Sequence, residues 1–566
     1  MLSKKRAAAI AARFGKPPDN RYEDEDFRCI RSYYDYRREK EPETFALDET
    51  TWYDLYLDTL FERVSSTGSA SGEQLLYYQL RCPAMERDEY ERRHGLIRLM
   101  EEQPELRQKL QVLLSRLGKT GGARTIEAFS PSAHGKCGLV VALLLLVGLI
   151  GSGIGLIVSP AALPFLLLFL FGNPIYHIAM LRRLETHLPA ASYSVSLIAV
   201  FQKICRLYGK ELAAYLRPYE AAEKRTRALS RMGFSAFAYD NEFAQILNSL
   251  CLFDLILYEW TKVGLSRLRE DIFAVHECVG RLDAAIAVAS YRKSAAVYCD
   301  PAIDFDKEGP SHFTAAGLVH PLLKNPVANT VELTGSLLLT GSNASGKSTL
   351  IKAAALSAIM AHSLCTAPCT AYSASAFHVY TSMALSDDIL AGESYFITEL
   401  KAFRRILTAV ERGERVLCAI DEILRGTNTV ERIAASSTLL RYLAGETAVC
   451  IAATHDIELC ALLSDAYDMA HFEEAIAGDT IAFDYRLRPG PACTRNAIRL
   501  LTLMGFDKAL TQEAENRAEV SARGHVVTAT NRRKSGLFRS HMFEKSAPPC
   551  EKKHGGALLC EKISPF

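Results

Sequence analysis

The residues of this chain whose types and spacing could do chemistry fall in three short runs, each at the end of an apolar stretch. The first is Leu337–Thr349, LLLTGSNASGKST. A strand-forming run meets Gly341, Ser342, Asn343, Ala344, Ser345 and Gly346, and Lys347, Ser348 and Thr349 then open a helix-forming segment. A strand–loop–helix of this kind curls backbone N–H groups around phosphate oxygens and adds the positive end of a helix dipole. Residues 341–349 are therefore the candidate nucleotide-binding set. Within it Lys347 would reach the β- and γ-phosphates and Ser348 would ligate Mg2+. Gly341 and Gly346 would take backbone conformations that a Cβ obstructs.

A phosphate cradle says only that nucleotide binds, so hydrolysis must be sought downstream. Arg415–Ile420 reads RVLCAI and runs into Asp421 and Glu422. Asp421 would hold the Mg2+ shell and Glu422 would orient or deprotonate the attacking water. A third apolar run, Thr447–Ala453, ends in Thr454, His455 and Asp456, placing an imidazole where it can sense the γ-phosphate. An Asp-Glu pair after a strand also suits a helix N-terminus. The three runs in this order point to Mg2+-dependent hydrolysis of ATP to ADP and phosphate, with Lys347, Glu422 and His455 as catalytic candidates.

The elements that must position these residues are an alternation of apolar strands and helices, and here the chain resembles a known family. TGSNASGKST at 340–349, AGESYFITEL at 391–400, AIDEILRGTNTVERIAAS at 419–436 and AATHDIEL at 452–459 are similar to the motifs of MutS-type mismatch-repair ATPases. His320–Leu323 and Val327–Asn329 resemble that family's approach to its P-loop, and Gly490–Ile498 with Leu500–Phe506 resembles its closing helical segment. The resemblance implies an α/β P-loop ATPase domain of the ABC/MutS-like kind over 301–520, preceded by an all-α core domain. It also implies a homodimer in which Ser394 of one subunit meets the γ-phosphate held by the other, and DNA as a partner. From the residue alone, without the neighbouring motifs, Ser394 reads first as an N-cap ahead of Glu399. The interval from Lys347 to Asp421 leaves no room for the helical insertion of ABC transporters, and no LSGGQ-like run is present. For the adenine ring that the family stacks on an aromatic side chain, the stretch before Asn329 offers Pro326 and Val327.

The family's mismatch-reading module and β-rich clamp find no counterpart. No Phe-x-Glu wedge precedes residue 45, and Phe61-Glu62-Arg63 lacks the spacing. Residues 182–300 show helix periods at Tyr193–Tyr208, Glu211–Tyr219, Asn241–Arg269 and Ile272–Ala296, with no hairpin series. Upstream, 1–45 is crowded with charge and tyrosine and reads as a polar arm without a secretory signal. Residues 46–135 carry the first part of the helical core, with apolar positions such as Leu55, Leu60, Leu76, Leu80, Ile97 and Met100.

A run from Cys137 to Leu181 contains no Lys, Arg, Asp or Glu. One membrane span needs about 20 apolar residues, so this length holds two, about 137–158 and 161–180, turning at Ser159-Pro160 within a hairpin segment 136–181. Lys136 precedes it and Arg182 and Arg183 follow, which predicts an integral membrane protein with both flanks and the ATPase domain in the cytoplasm.

A net charge of +1 over 566 residues excludes a global field for nucleic acid or anionic lipid. The local run Glu223–Arg227 with Arg231 suits either a solvated helix face or a nucleic-acid contact. Basic residues outnumber acidic ones from Ser521 to Phe566, so 521–566 reads as a disordered basic tail. The fifteen cysteines show no repeated CxxC and no zinc spacing, and no zinc is expected; Cys365 and Cys369 read as structural.

The combined reading is a membrane-anchored, dimeric ATPase using ATP and Mg2+, with DNA binding implied by resemblance and specific mismatch reading not carried over. Two other classes stay open. One is an ATP-driven transporter, against which the hairpin's lack of charge counts. The other is an ATP-gated scaffold without DNA activity.

Overall fold

The computed structural model describes residues 2–119, 137–184, 187–230, 242–306, 308–342, 345–383, 395–424, 427–445, 447–477, 480–492, 506–507, 509–514 and 516–517. The chain divides into two compact units, 1–494 and 495–566. Of the second, the described part is chiefly a helical turn at 509–514.

The stretch read as a polar arm is folded. α1 (Leu2–Arg13) and α2 (Asp24–Lys40) are helices, and α2 buries Ile30, Tyr33 and Tyr34. Charge dominates its sequence because the other face is wet, while three inward positions suffice to dock it. α3 (Glu49–Asp54) is capped by Asp48, whose carboxylate accepts from Thr51 N at 2.8 Å. α4 (Leu57–Val64), α5 (Ala70–Arg81), α6 (Arg87–Glu102) and α7 (Pro104–Leu114) complete the first helical part.

α8 (Cys137–Val158) and α9 (Leu163–Arg183) form the expected antiparallel pair, joined by a 3-10 turn at Pro160–Ala162. Both are long and apolar enough to cross a membrane, and only 11% of each span's most apolar window is buried. α10 (His187–Tyr208), α11 (Ala213–Leu216) and α12 (Glu220–Ser230) follow. The expected single helix over Asn241–Arg269 is instead broken into α13 (Glu242–Cys251) and α14 (Phe253–Arg267), with Leu252 between them at φ +56°. Helical periodicity continues through the break, so apolar spacing alone does not reveal it. The break brings Asp254 against the hairpin, where its Oδ2 lies 2.8 Å from His177 Nε2. The hairpin region therefore does hold an acidic group, supplied by a later helix.

α15 (Arg269–Ser294) runs through the middle of the helical part, crossing α5 so closely that a Cβ at Gly280 would stand 2.6 Å from Ser71 O. The boundary drawn at residue 300 is not a packing boundary. One continuous core joins Leu75, Leu76 and Ile286 of the helices to Leu339, Ile351 and Ala355. The reason is α16 (Lys347–Leu364), which is apolar nearly all round and must be covered on two sides.

On one side of α16 lies a six-stranded sheet in the order β10-β9-β4-β8-β7-β6. Its strands are β4 (Ser336–Thr340), β6 (His378–Ser382), β7 (Val416–Asp421), β8 (Ala448–Ala453), β9 (Tyr467–Ala477) and β10 (Thr480–Pro489). All neighbours are parallel except β9–β10. The near-continuous burial of β4, β7 and β8 is what a parallel sheet covered on both faces requires. β1 (Ala302–Asp304), β2 (Phe313–Leu318), β3 (Asn329–Leu333) and β5 (Ala371–Ser375) form a second, mixed sheet ordered β1-β5-β2-β3. α17 (Tyr395–Glu411), α18 (Thr429–Leu443) and α19 (Ile457–Leu462) cover the larger sheet; α18 is capped by Asn428, which accepts from Glu431 N.

Candidate nucleotide site

The site lies at the C-terminal edge of the parallel sheet, where β4, β8 and β7 end side by side. Register fixes this: Leu339 of β4 is paired with Ala453 of β8, and Ala453 with Asp421 of β7. Glu422 N donates to Ala453 O at 3.1 Å, and Thr454 N to Leu339 O at 3.0 Å, so the residues following each strand stay laced together. The three chemistry-bearing runs of the sequence thus converge.

After β4 the loop turns on two glycines. Gly341 has φ +135°, and a Cβ there would stand 2.8 Å from Phe472 O; Gly346 has φ +115° and lies beneath the Tyr485 ring. Neither backbone conformation suits an L side chain. Ser345 is fully buried, and its Oγ has no hydrogen-bond partner among the described residues. Lys347 is buried at the start of α16, and its Nζ donates to Gly341 O at 2.8 Å and Ser342 O at 2.7 Å. The ammonium is therefore folded back over the loop it belongs to. Ser348 and Thr349 are exposed on the first turn of α16. Asn343, Ala344 and Ser394 lie outside the described residues.

Across the sheet edge, Glu422 takes the left-handed conformation, φ +61°. Its Oε1 lies 2.8 Å from His455 Nε2. His455 is steered from the far side, because the next residue, Asp456, is clamped by Arg432 through contacts of 2.9 and 2.7 Å and donates its N–H to Thr454 Oγ1. Downstream of Glu422, Leu424 N donates to Glu399 Oε1 at 2.6 Å, tying the turn to α17. Asp421 is half-buried at the end of β7, one residue behind Glu422.

These groups face a cavity of about 430 Å3, lined by Ser342, Ser345, Gly346, Lys347, Ser348, Thr349 and Glu422 on its polar side. Asp421 is not among its lining residues. The apolar side comes from Leu318, Leu323, Pro326, Val327, Phe472 and Tyr485, with His320 beside them. Burial, aided by Lys352 and Arg63, pulls the His320 imidazole down to about 4, so this wall is neutral near pH 7.

Phe472 and Tyr485 are aromatic walls that the sequence reading missed. Tyr485 sits in the left-handed region, φ +54°, within a register shift between Phe483 and Leu487 on β10. Asn329, at the start of β3, splints that bulge: its Nδ2 donates to Tyr485 O at 3.0 Å and its Oδ1 accepts from Leu487 N at 2.8 Å. The ring, stacked on Phe483, is thereby brought within van der Waals reach of Gly346. Pro326 and Val327 line the same cavity as the aromatics. Nothing local in DYRLRP flags this role; the bulge and Asn329 create it.

A parallel sheet with a glycine-rich loop and helix at its C-terminal edge, and an acid–imidazole pair from the neighbouring strands, is an ATPase-type α/β domain. Over this domain the chain is similar to the MutS family. Residues 337–520 match the family model of MutS domain V. The chain is 30% identical over 263 residues to the DNA mismatch repair protein MutS of Natronomonas pharaonis, covering 44% of this chain and 30% of that protein. It is 32% identical over 184 residues to DNA mismatch repair protein MutS 2 of Haloarcula marismortui, covering 32% of this chain and 19% of that one. The match thus spans less than a third of the length of either relative.

Proposed function

We propose that this protein is a membrane-anchored ATPase of the MutS type, hydrolysing ATP at the cavity between the glycine-rich loop and Glu422. The observation that carries the reading is the shared cavity itself: Lys347 and Ser348 line one space of about 430 Å3 together with Glu422, which is far from them in sequence. The loop fits a polyphosphate. Its two glycines open a backbone cradle, and the buried, unpartnered Ser345 Oγ offers it a donor. On phosphate entry Lys347 Nζ exchanges the carbonyls of Gly341 and Ser342 for phosphate oxygens, and the first turn of α16 presents its N–H groups. Thr349, which also lines the cavity, completes the cradle.

The oxygens of Ser348, on the cavity wall, and of Asp421, behind Glu422 and outside the cavity lining, are the hard donors that would hold Mg2+, which would supply charge neutralisation on the phosphates. Glu422 accepts the proton of the attacking water, and His455, held against it, orients the carboxylate and senses the γ-phosphate. The nucleobase lies against Tyr485 and Phe472, above Pro326 and Val327.

The resemblance of the motifs to MutS-type ATPases implies a homodimer with Ser394 of each subunit closing on its partner's nucleotide, and the relatives' names, which state DNA mismatch repair, make DNA the expected partner. α8 and α9 anchor the protein in a bilayer with both flanks on the cytoplasmic side. The test is phosphate release by detergent-solubilised protein, with and without linear, mismatched and junction DNA. Turnover that rises with DNA supports the whole reading. Turnover that answers to a solute and ignores DNA moves it to transport, and no turnover with intact nucleotide binding leaves an ATP-gated scaffold.

A further inference from the structure

The break between α13 and α14 sits where a break is costly. Ending one helix and starting another after a single residue leaves carbonyl and amide groups without intrahelical partners. Two of them are answered by side chains at the break. Asn173 Nδ2 of α9 donates to Leu250 O at 2.8 Å and also reaches Leu145 O of α8 at 3.4 Å. Asn248 Oδ1 accepts from Asp254 N at 3.0 Å, and Asp254 pairs with His177 of α9. Asn173, His177 and Asp254 are all buried. In a helix facing lipid, Asn173 and His177 would be a cost; here they serve a broken helix packed against the hairpin. Irregular backbone at membrane depth is tolerated when protein satisfies it in this way.

The depth of the break follows from its neighbours. Glu259 of α14 lies against Gly138, at the start of α8, where a Cβ would stand 2.8 Å from its Oε1. Leu145, which shares Asn173 with Leu250, is seven residues further along α8, about 10 Å deeper at the helical rise. The charged middle of α14, where Glu259 pairs with Lys262, therefore stays at the base of the hairpin, and the break points inward. The outward face of this element is apolar and open: Ile246, Leu247, Phe253 and Trp260 are 60%, 45%, 48% and 67% exposed. α13 packs on α9 and α14 on α8, so that face adjoins the hairpin's own exposed Leu144, Phe171 and Ile175.

We propose that residues 242–267 form a second membrane element, a re-entrant broken helix that enters from the base of the hairpin, turns at Leu252 and returns, with lipid acyl chains covering its open face. The proposal rests on the hairpin being membrane-spanning, and the experiment separates the two. The chain has two tryptophans, Trp52 and Trp260. Trp52 is buried in the helical core and serves as a constant background, measured in Trp260→Phe.

Full-length protein is reconstituted in phosphatidylcholine vesicles whose acyl chains carry bromine at a shallow or a deep position. Trp260 is expected to lose emission to shallow bromines, and Phe253→Trp in the Trp260→Phe background to deeper ones. Ile154→Trp in the same background reports on the hairpin. If Ile154→Trp is quenched while positions 253 and 260 keep their emission, the hairpin spans the bilayer but the open face is covered by protein, such as a second copy, and the proposal fails alone. If Ile154→Trp is not quenched, the membrane reading falls and takes the proposal with it. Adding Asn173→Leu should move the Phe253→Trp label outward to the shallow bromines; an unchanged depth overturns the part assigned to Asn173.

Discussion

His455 Nε2 stands 2.8 Å from Glu422 Oε1, an imidazole from one strand end closing on a carboxylate from the next. Adjacent parallel strands bring the two together, and the left-handed backbone at Glu422 turns its side chain toward the cavity. Glu422→Gln keeps the shape and removes the carboxylate proposed as proton acceptor. Phosphate release should fall by about 10² or more, the range expected of a general base, while nucleotide affinity holds. His455→Ala should slow turnover less, because it removes the group that orients Glu422.

The glycine-rich loop makes a steric prediction. At Gly341 an added methyl meets the Phe472 carbonyl, a backbone atom that cannot swing aside, in a conformation L residues avoid. Gly341→Ala should abolish nucleotide binding in equilibrium titration. Gly95→Ala, in α6 with open space around it, should leave binding unchanged.

Tyr485 offers a test of the apolar wall. Loss of a ring stacked on a base costs about 1–3 kcal/mol, so Tyr485→Ala should weaken nucleotide binding roughly tenfold or more, and Tyr485→Phe should retain most of it. Asn329→Ala removes both splints of the bulge and should weaken binding in the same direction without touching the cavity's aromatic atoms.

Arg292 of α15 caps the far end of α16. Its guanidinium donates to Cys365 O and to Thr366 Oγ1 at 2.8 Å, and pairs with Glu101 and Asp300 at 3.0 and 2.9 Å. A cation at a helix C-terminus also meets the negative end of the dipole. Arg292→Met should cost about 1–3 kcal/mol in chemical unfolding, the scale of leaving a buried acceptor such as the Cys365 carbonyl unpaired. It should also loosen the link between the helical part and α16.

Acid should destabilise the fold through buried histidines. Burial pulls His362 down to about 4 and His276 to about 3, and His362 Nδ1 donates to Ala84 O at 2.9 Å. In the unfolded chain both take up a proton near pH 6.5, while in the folded protein they stay neutral. Their stabilising contribution is complete above pH 6.5 and is lost as pH falls toward 4. Each adds a slope of about 1.4 kcal/mol per pH unit in that window. Urea midpoints measured from pH 7 to 4 should show this decline, and His362→Gln should remove about one proton's share of it.

The glycine-rich loop between a strand and a helix, and the strand ends that carry Asp421, Glu422 and His455, were legible because each is a local pattern: an apolar strand, then a run of turn or polar residues. The two apolar helices were legible for a similar reason, since an uncharged run of that length has few other uses. Less visible were features made by distant residues meeting. The segment before residue 45 looked like an arm because its charges outnumber Ile30, Tyr33 and Tyr34, the few positions that dock it. The break at Leu252 was hidden because helical periodicity runs through it, and its reason, Asn173, is far away in the chain.

What the chain's order of residues determined on its own is the chemistry on offer: which groups can cradle phosphate, move a proton or sit in an apolar phase, since these are properties of side chains and their near neighbours. Tertiary structure alone decided which aromatic ring faces the loop, which arginine caps α16, and where an acidic group meets the hairpin. Those pairings depend on strand register, a bulge and a broken helix, and each is set by the packing of segments that hold no information about one another until the core forms.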